Sequence, residues 1–119
     1  MTYEGRLGQV GELHRAGVTL IAGIDSGIGP AKRHGVLPET VIDFVTAGLS
    51  AAEALTAATS AAARACGIGG RTGRLAPGLD ADLIAVAGDP FTDITAVREI
   101  RLVVSRGREV ATTASAPST

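Results

Sequence analysis

From Glu4 to Ala16 the apolar residues Leu7, Val10 and Leu13 recur at helical spacing, while Glu12, His14 and Arg15 lie elsewhere on the wheel. This predicts an amphipathic helix that Gly17 ends in a left-handed turn. Val18 to Ala22 then form a short, mostly apolar run bounded by glycines. That pattern suits a strand covered on both faces, as in a parallel sheet. A helix feeding such a strand through a tight turn is half of an α/β repeat.

Pro38 suits the start of a second helix, with Val41, Ile42 and Val45 on its apolar side and Gly48 at its end. Ser50 and Glu53 have the spacing of a capping box and open a third helix. Its face of Leu55, Ala58, Ala62 and Ala65 is narrow, which lets a neighbouring element approach closely. After a glycine-rich joint from Gly67, a strand is expected over Ala81 to Val86 and a short helical turn from Asp93 to Val97. A β-hairpin should follow, pairing Ile100 to Val104 with Glu109 to Ala111 around Arg106 and Gly107. Thr112 to Thr119 are Ala, Ser, Thr and Pro only, the composition of a disordered tail.

Composition narrows the function classes. At 119 residues the chain has room for one domain of ordinary size. Aromatic residues are only 3% and glycines number 16, so a core of Ala, Val, Leu and Ile must rely on close backbone approach. The formal net charge of -1 provides no basic field for nucleic acid or an anionic membrane. Cys66 is the only cysteine, which excludes an internal disulfide and makes a cytoplasmic setting the default. Just before Gly67 in an Ala-rich helix, it reads as a buried small hydrophobe. The amino terminus has no apolar signal core, and no run is long enough to span a bilayer.

Candidate chemistry centres on Asp25, which follows the Val18 run within three residues. A carboxylate at the mouth of an apolar strand needs a partner, because the ionised group loses hydration there. Gly23, Gly27 and Gly29 leave the backbone free to approach a ligand or metal closely. On local grounds the plainer reading is the stronger one, with Asp25 capping the next segment or closing an Asx-turn. His34 lies in a breaker-rich connection and is either solvated or turned toward substrate, whereas His14 reads as a solvated helix histidine. The dense glycines of Gly67 to Gly73 lack both the Walker spacing and a dinucleotide-binding frame, which leaves a flexible joint as the simpler account.

Taken in order, the run from Val18 through Asp25 to Gly27, the pair His34 and Gly35, the helix text Ala47 to Thr59, the stretch Gly73 to Leu83 and the triplet Gly88 to Pro90 resemble one family. They are similar to the C-terminal portion of metal-dependent amidohydrolases, closest to the imidazolonepropionase-like and Xaa-Pro dipeptidase-like subgroup. The resemblance runs from about Ala16 to Val110. It implies an α/β fold: the last strand and helices of a (β/α)8 barrel over residues 1–66, part of a flanking β-sandwich over 67–111, and a tail at 112–119. Val18 to Ala22 would be the eighth barrel strand, with catalytic groups at the C-terminal ends of the strands.

By the same resemblance Asp25 would ligate a divalent metal, commonly zinc, and act as general base toward the metal-bound water. His34 would bind substrate, a small amide, cyclic amide or dipeptide whose C–N bond is hydrolysed. Such enzymes also carry a His-x-His pair on the first strand and further histidines on later ones, and His14 and His34 do not reproduce that arrangement. Zinc needs three or four protein ligands, so the chain alone is expected to be inactive. It is read as the carboxyl-terminal piece of a larger enzyme, arising from a truncated frame, a split gene or a domain fragment. The alternatives are a non-catalytic binding module, an assembly partner completing a barrel with another chain, or a homo-oligomer.

Overall fold

The structure, a computed structural model, describes residues 2–23 and 35–111. Helix α1 spans Tyr3–Arg15 and starts where the Thr2 hydroxyl accepts the Gly5 N–H at 2.9 Å. Helix α2 spans Leu37–Ala47, with Pro38 in its first turn, where a missing N–H costs nothing. Helix α3 spans Ala51–Ala58 and carries the complete capping box: Glu53 N–H donates to Ser50 Oγ at 3.0 Å and Ser50 N–H to Glu53 Oε1 at 2.8 Å. Helix α4 spans Ser60–Ala65.

One device ends α1, α2 and α4. Gly17, Gly48 and Gly67 take positive φ, so the next residue's N–H can reach back into the last turn. Val18 N–H donates to Leu13 O, Leu49 N–H to Phe44 O and Ile68 N–H to Ala63 O, the long bond of the Schellman motif in each case.

Strand β1 spans Leu83–Val86, β2 Ile100–Ser105 and β3 Arg108–Glu109, joined antiparallel in the order β1-β2-β3. The register places Leu83 opposite Val104 and Ile84 opposite Val103, with an irregularity between Ala85 and Val86. The hairpin turns at Arg106 and Gly107, both at positive φ. A 3-10 helix over Ile94–Arg98 joins β1 to β2, and Asp93 caps it by accepting the Thr95 N–H at 3.0 Å.

The core is built on Val41, Leu49 and Ala54, with Val10, Leu20, Phe44, Leu55 and Ile94 packed against it. Ile94 brings the C-terminal segment onto the helices, and Arg98 reinforces the contact through a two-oxygen ion pair with Glu39 at 3.0 and 3.1 Å. Tyr3 Oη donates to Asp43, tying the start of α1 to the middle of α2.

Four expectations change. Of the Leu7, Val10 and Leu13 stripe, Leu7 and Val10 are half-buried but Leu13 is 46% exposed; the helix's buried residue is Gly11, where a Cβ would lie 2.5 Å from Ala47 O. The third helix breaks at Thr59, whose hydroxyl donates to Leu55 O, and the buried alanines are Ala54, Ala57, Ala61 and Ala63. Val18 to Gly23 has no ladder partner among the described residues; instead Ala22 N–H donates to Ala57 O at 2.9 Å. Gly67 to Gly73 is a fitted loop, since a Cβ on Gly73 would meet Ala63 Cβ at 2.6 Å. The tail at 112–119 lies outside the described residues.

Candidate functional site

Asp25 and His34 both fall in residues 24–34, outside the described residues. The structure does define the two ends of that segment. On one side Leu20 is packed on the core and Ala22 is hydrogen-bonded to α3. On the other, Gly35 at positive φ leads into α2, whose Glu39 N–H donates to Val36 O.

Next to the first anchor, a cavity of about 400 Å³ is lined by His14, Thr19, Leu20, Glu53, Thr56 and Arg64, among others. His14 Nε2 lies 3.3 Å from Glu53 Oε2. The Ser50 N–H and hydroxyl, followed by His14, hold the Glu53 carboxyl below its usual range. With one oxygen on the Ser50 amide and the other on His14, Glu53 fastens α1 to α3 rather than offering a free base. The sequence did not announce this pair, because its members lie 39 positions apart and meet only once α1 and α3 have both packed on α2.

Asp82 is another carboxylate whose role is structural. Its Oδ2 accepts the Thr72 hydroxyl at 2.7 Å and its Oδ1 the Arg106 N–H at 2.8 Å. Those bonds, the Arg106 amide foremost, hold it below the usual carboxylate range. The loop, β1 and the hairpin turn thereby meet at one side chain. Cys66 is exposed rather than buried: it is the C-cap of α4 and lines a groove of about 600 Å³ with Ile68, Leu75 and Ile84.

Among the described residues, no group of three or more His, Cys, Asp or Glu side chains is placed to hold a metal ion. The donors present there do not fit a zinc centre, which needs three or four ligands. No helix among the described residues is long and apolar enough to cross a membrane.

Comparison with known proteins supplies the context for this arrangement. A Xaa-Pro dipeptidase structure with methionine bound in its active site is 27% identical and superposes with a TM-score of 0.81 over 89% of this chain and 25% of its own. A structure assigned as a prolidase from Bifidobacterium longum is 31% identical, with a TM-score of 0.82 over 89% of this chain and 26% of its own. Molinate hydrolase, at 24% identity and a TM-score of 0.79 over 92% of this chain and 29% of its own, shares the fold. The chain therefore spans about a quarter of the length of the first two of these structures and 29% of the third. No curated protein matches it. With residues 7–110 matching the amidohydrolase family description, nearly from end to end, the chain belongs to the amidohydrolase family.

Proposed function

We propose that the chain is the C-terminal portion of a metal-dependent amidohydrolase that hydrolyses the C–N bond of an amide, cyclic amide or dipeptide, and that it is inactive alone. The match to a Xaa-Pro dipeptidase over 89% of this chain but only 25% of that enzyme carries the reading. Residues 1–66 contribute the last strand and helices of a (β/α)8 barrel, residues 67–111 part of the flanking β-sandwich, and 112–119 a tail. Val18 to Ala22, which has no ladder partner among the described residues, is the eighth barrel strand and pairs once neighbouring strands are supplied.

In the complete enzyme a divalent metal, zinc by family habit, supplies the activated water. Asp25 is this chain's ligand to it and its proton acceptor, and His34 contacts the substrate. The anchored ends of 24–34 support these roles, since Leu20 and Ala22 hold the approach to Asp25 against rigid helices. The remaining ligands belong to polypeptide outside this chain, and the lone cysteine fits a cytoplasmic setting.

A second reading, an assembly partner that completes a barrel with another chain, is favoured by apolar side chains left open. Leu75 is 75% and Phe91 66% exposed. Purified chain loaded with zinc should hold well under one ion per molecule and leave an Xaa-Pro dipeptide intact. Supplying a polypeptide that carries the rest of the barrel should restore both metal and hydrolysis, and Asp25→Asn should remove both again. Stoichiometric metal and hydrolysis by this chain alone would overturn the proposal.

A further inference from the structure

The geometry points to an oxyanion site of the phosphate class between α4 and the loop that follows it. Ser60, Arg64, Gly69, Gly70 and Arg74 line a cavity of about 650 Å³. Every one of these residues brings a hydrogen-bond donor, and none brings a carboxylate. Arg71, between the two arginines in sequence, turns instead to Asp80 at 3.5 Å. Arg64 also borders the cavity that Glu53 lines, but both oxygens of Glu53 are engaged by Ser50 and His14.

The loop's backbone adds two donors. Ile68 O accepts from the N–H groups of Arg71 and Thr72, and Ile68 N–H is used in the cap of α4. The amides of Gly69 and Gly70, at the crest of this turn, have no acceptor among the described residues. Successive free amides in a turn make an anion-binding concavity. Gly69 is also where the loop meets the helix: a Cβ there would stand 2.8 Å from Arg64 Cγ and 3.3 Å from Arg64 Cα. The absence of a side chain at Gly69 thus lets the loop lie against the Arg64 stem. Two planar guanidinium groups with paired amides suit the several oxygens of a phosphate better than a single carboxylate. The site stands apart from the hydrolytic reading, since it uses none of the residues assigned there.

Titrating inorganic phosphate into the full chain at constant ionic strength, followed through the amide resonances of Gly69 and Gly70, tests the assignment. Saturable shifts confined to this loop are expected, with affinity about tenfold weaker in Arg74→Gln, the loss of one charge-assisted contact. Arg74→Lys should fall between the two, and Arg108→Gln on the hairpin should bind like the parent. A phenyl phosphate arm separates the sources: tighter binding than inorganic phosphate assigns a phosphoryl-bearing ligand, and weaker binding assigns the free anion. Linear, non-saturating shifts overturn the proposal, as does equal binding by Arg74→Gln with its resonance dispersion intact.

Discussion

The two oxygens of Glu53 serve different partners, and the difference sets how acid acts on this protein. One accepts the Ser50 N–H, a bond between residues three positions apart that the Ser50 and Glu53 spacing declares in the sequence. The other meets His14, a contact that no local pattern contains. Asp93 divides from Asp82 in the same way: its cap on the 3-10 helix is local and legible, while Asp82 draws on Thr72 and Arg106, 10 and 24 residues away. All three carboxyls lie below their ordinary values because hydrogen bonds favour the ionised form. Their contribution to stability is therefore complete above the ordinary carboxylate range and is lost as pH falls through the lowered folded values. Thermal melts followed by far-ultraviolet circular dichroism should show a melting temperature that declines from about pH 4.5 downward. Glu53→Gln keeps the cap, since glutamine serves at that position, but removes one titrating group. Its melting temperature should fall less steeply with acid, and an unchanged slope would remove Glu53 from the account.

Element boundaries were legible where punctuation is chemical. Pro38, Gly17, Gly48, Gly67 and the Ser50 cap all mark helix ends in the structure. Faces were less legible. Between Ala51 and Ala65 nine of the fifteen positions are alanine, so periodicity carries little contrast and the buried set is shifted from the expected one. In α1 the leucines suggested the seam, yet the close approach runs through Gly11, whose missing side chain is invisible to a hydrophobic pattern. Val18 to Ala22 reads as a strand because its composition is right, but a strand also needs a neighbour to pair with. The glycines of α1 give this a direct test. Gly8 has nothing within 4 Å of an added Cβ, so Gly8→Ala should stabilise by about 0.5–1 kcal/mol through helix propensity. Gly11→Ala gains the same propensity but drives its methyl to 2.5 Å from Ala47 O. Backbone cannot yield as a flexible side chain would, so overpacking of about 1–3 kcal/mol should prevail. Denaturant melts giving the two substitutions the same sign would mean that α1 and α2 are not in close contact.

At the scale of the molecule, the enclosed side chains among the described residues are small. Five of the eight buried hydrophobic residues are alanine, and no large side chain among the described residues is fully enclosed. Composition foreshadowed the small side chains but not where the apolar surface would remain open, since that depends on which faces find partners among the described residues. Leu75, Phe91 and Ile84 are each more than half exposed, and Leu75 and Ile84 line the same groove beside Ile68. Water against that surface favours association, at roughly 25 cal/mol per Å² removed. The isolated chain should accordingly bind a hydrophobic dye such as ANS, sediment with a mass that rises with concentration, and melt broadly. Replacing Leu75 and Phe91 together by serine should reduce dye binding and association. It should leave the melting midpoint nearly unchanged, because exposed positions carry little of the folded state's own stability, within about 0.5 kcal/mol each. On the assembly reading proposed above, a polypeptide that completes a barrel with this chain should abolish dye binding by covering the same side chains. A chain that sediments as a single monomer at all concentrations, melts sharply and ignores the dye would show that this surface needs no cover, and the assembly reading would fail with it.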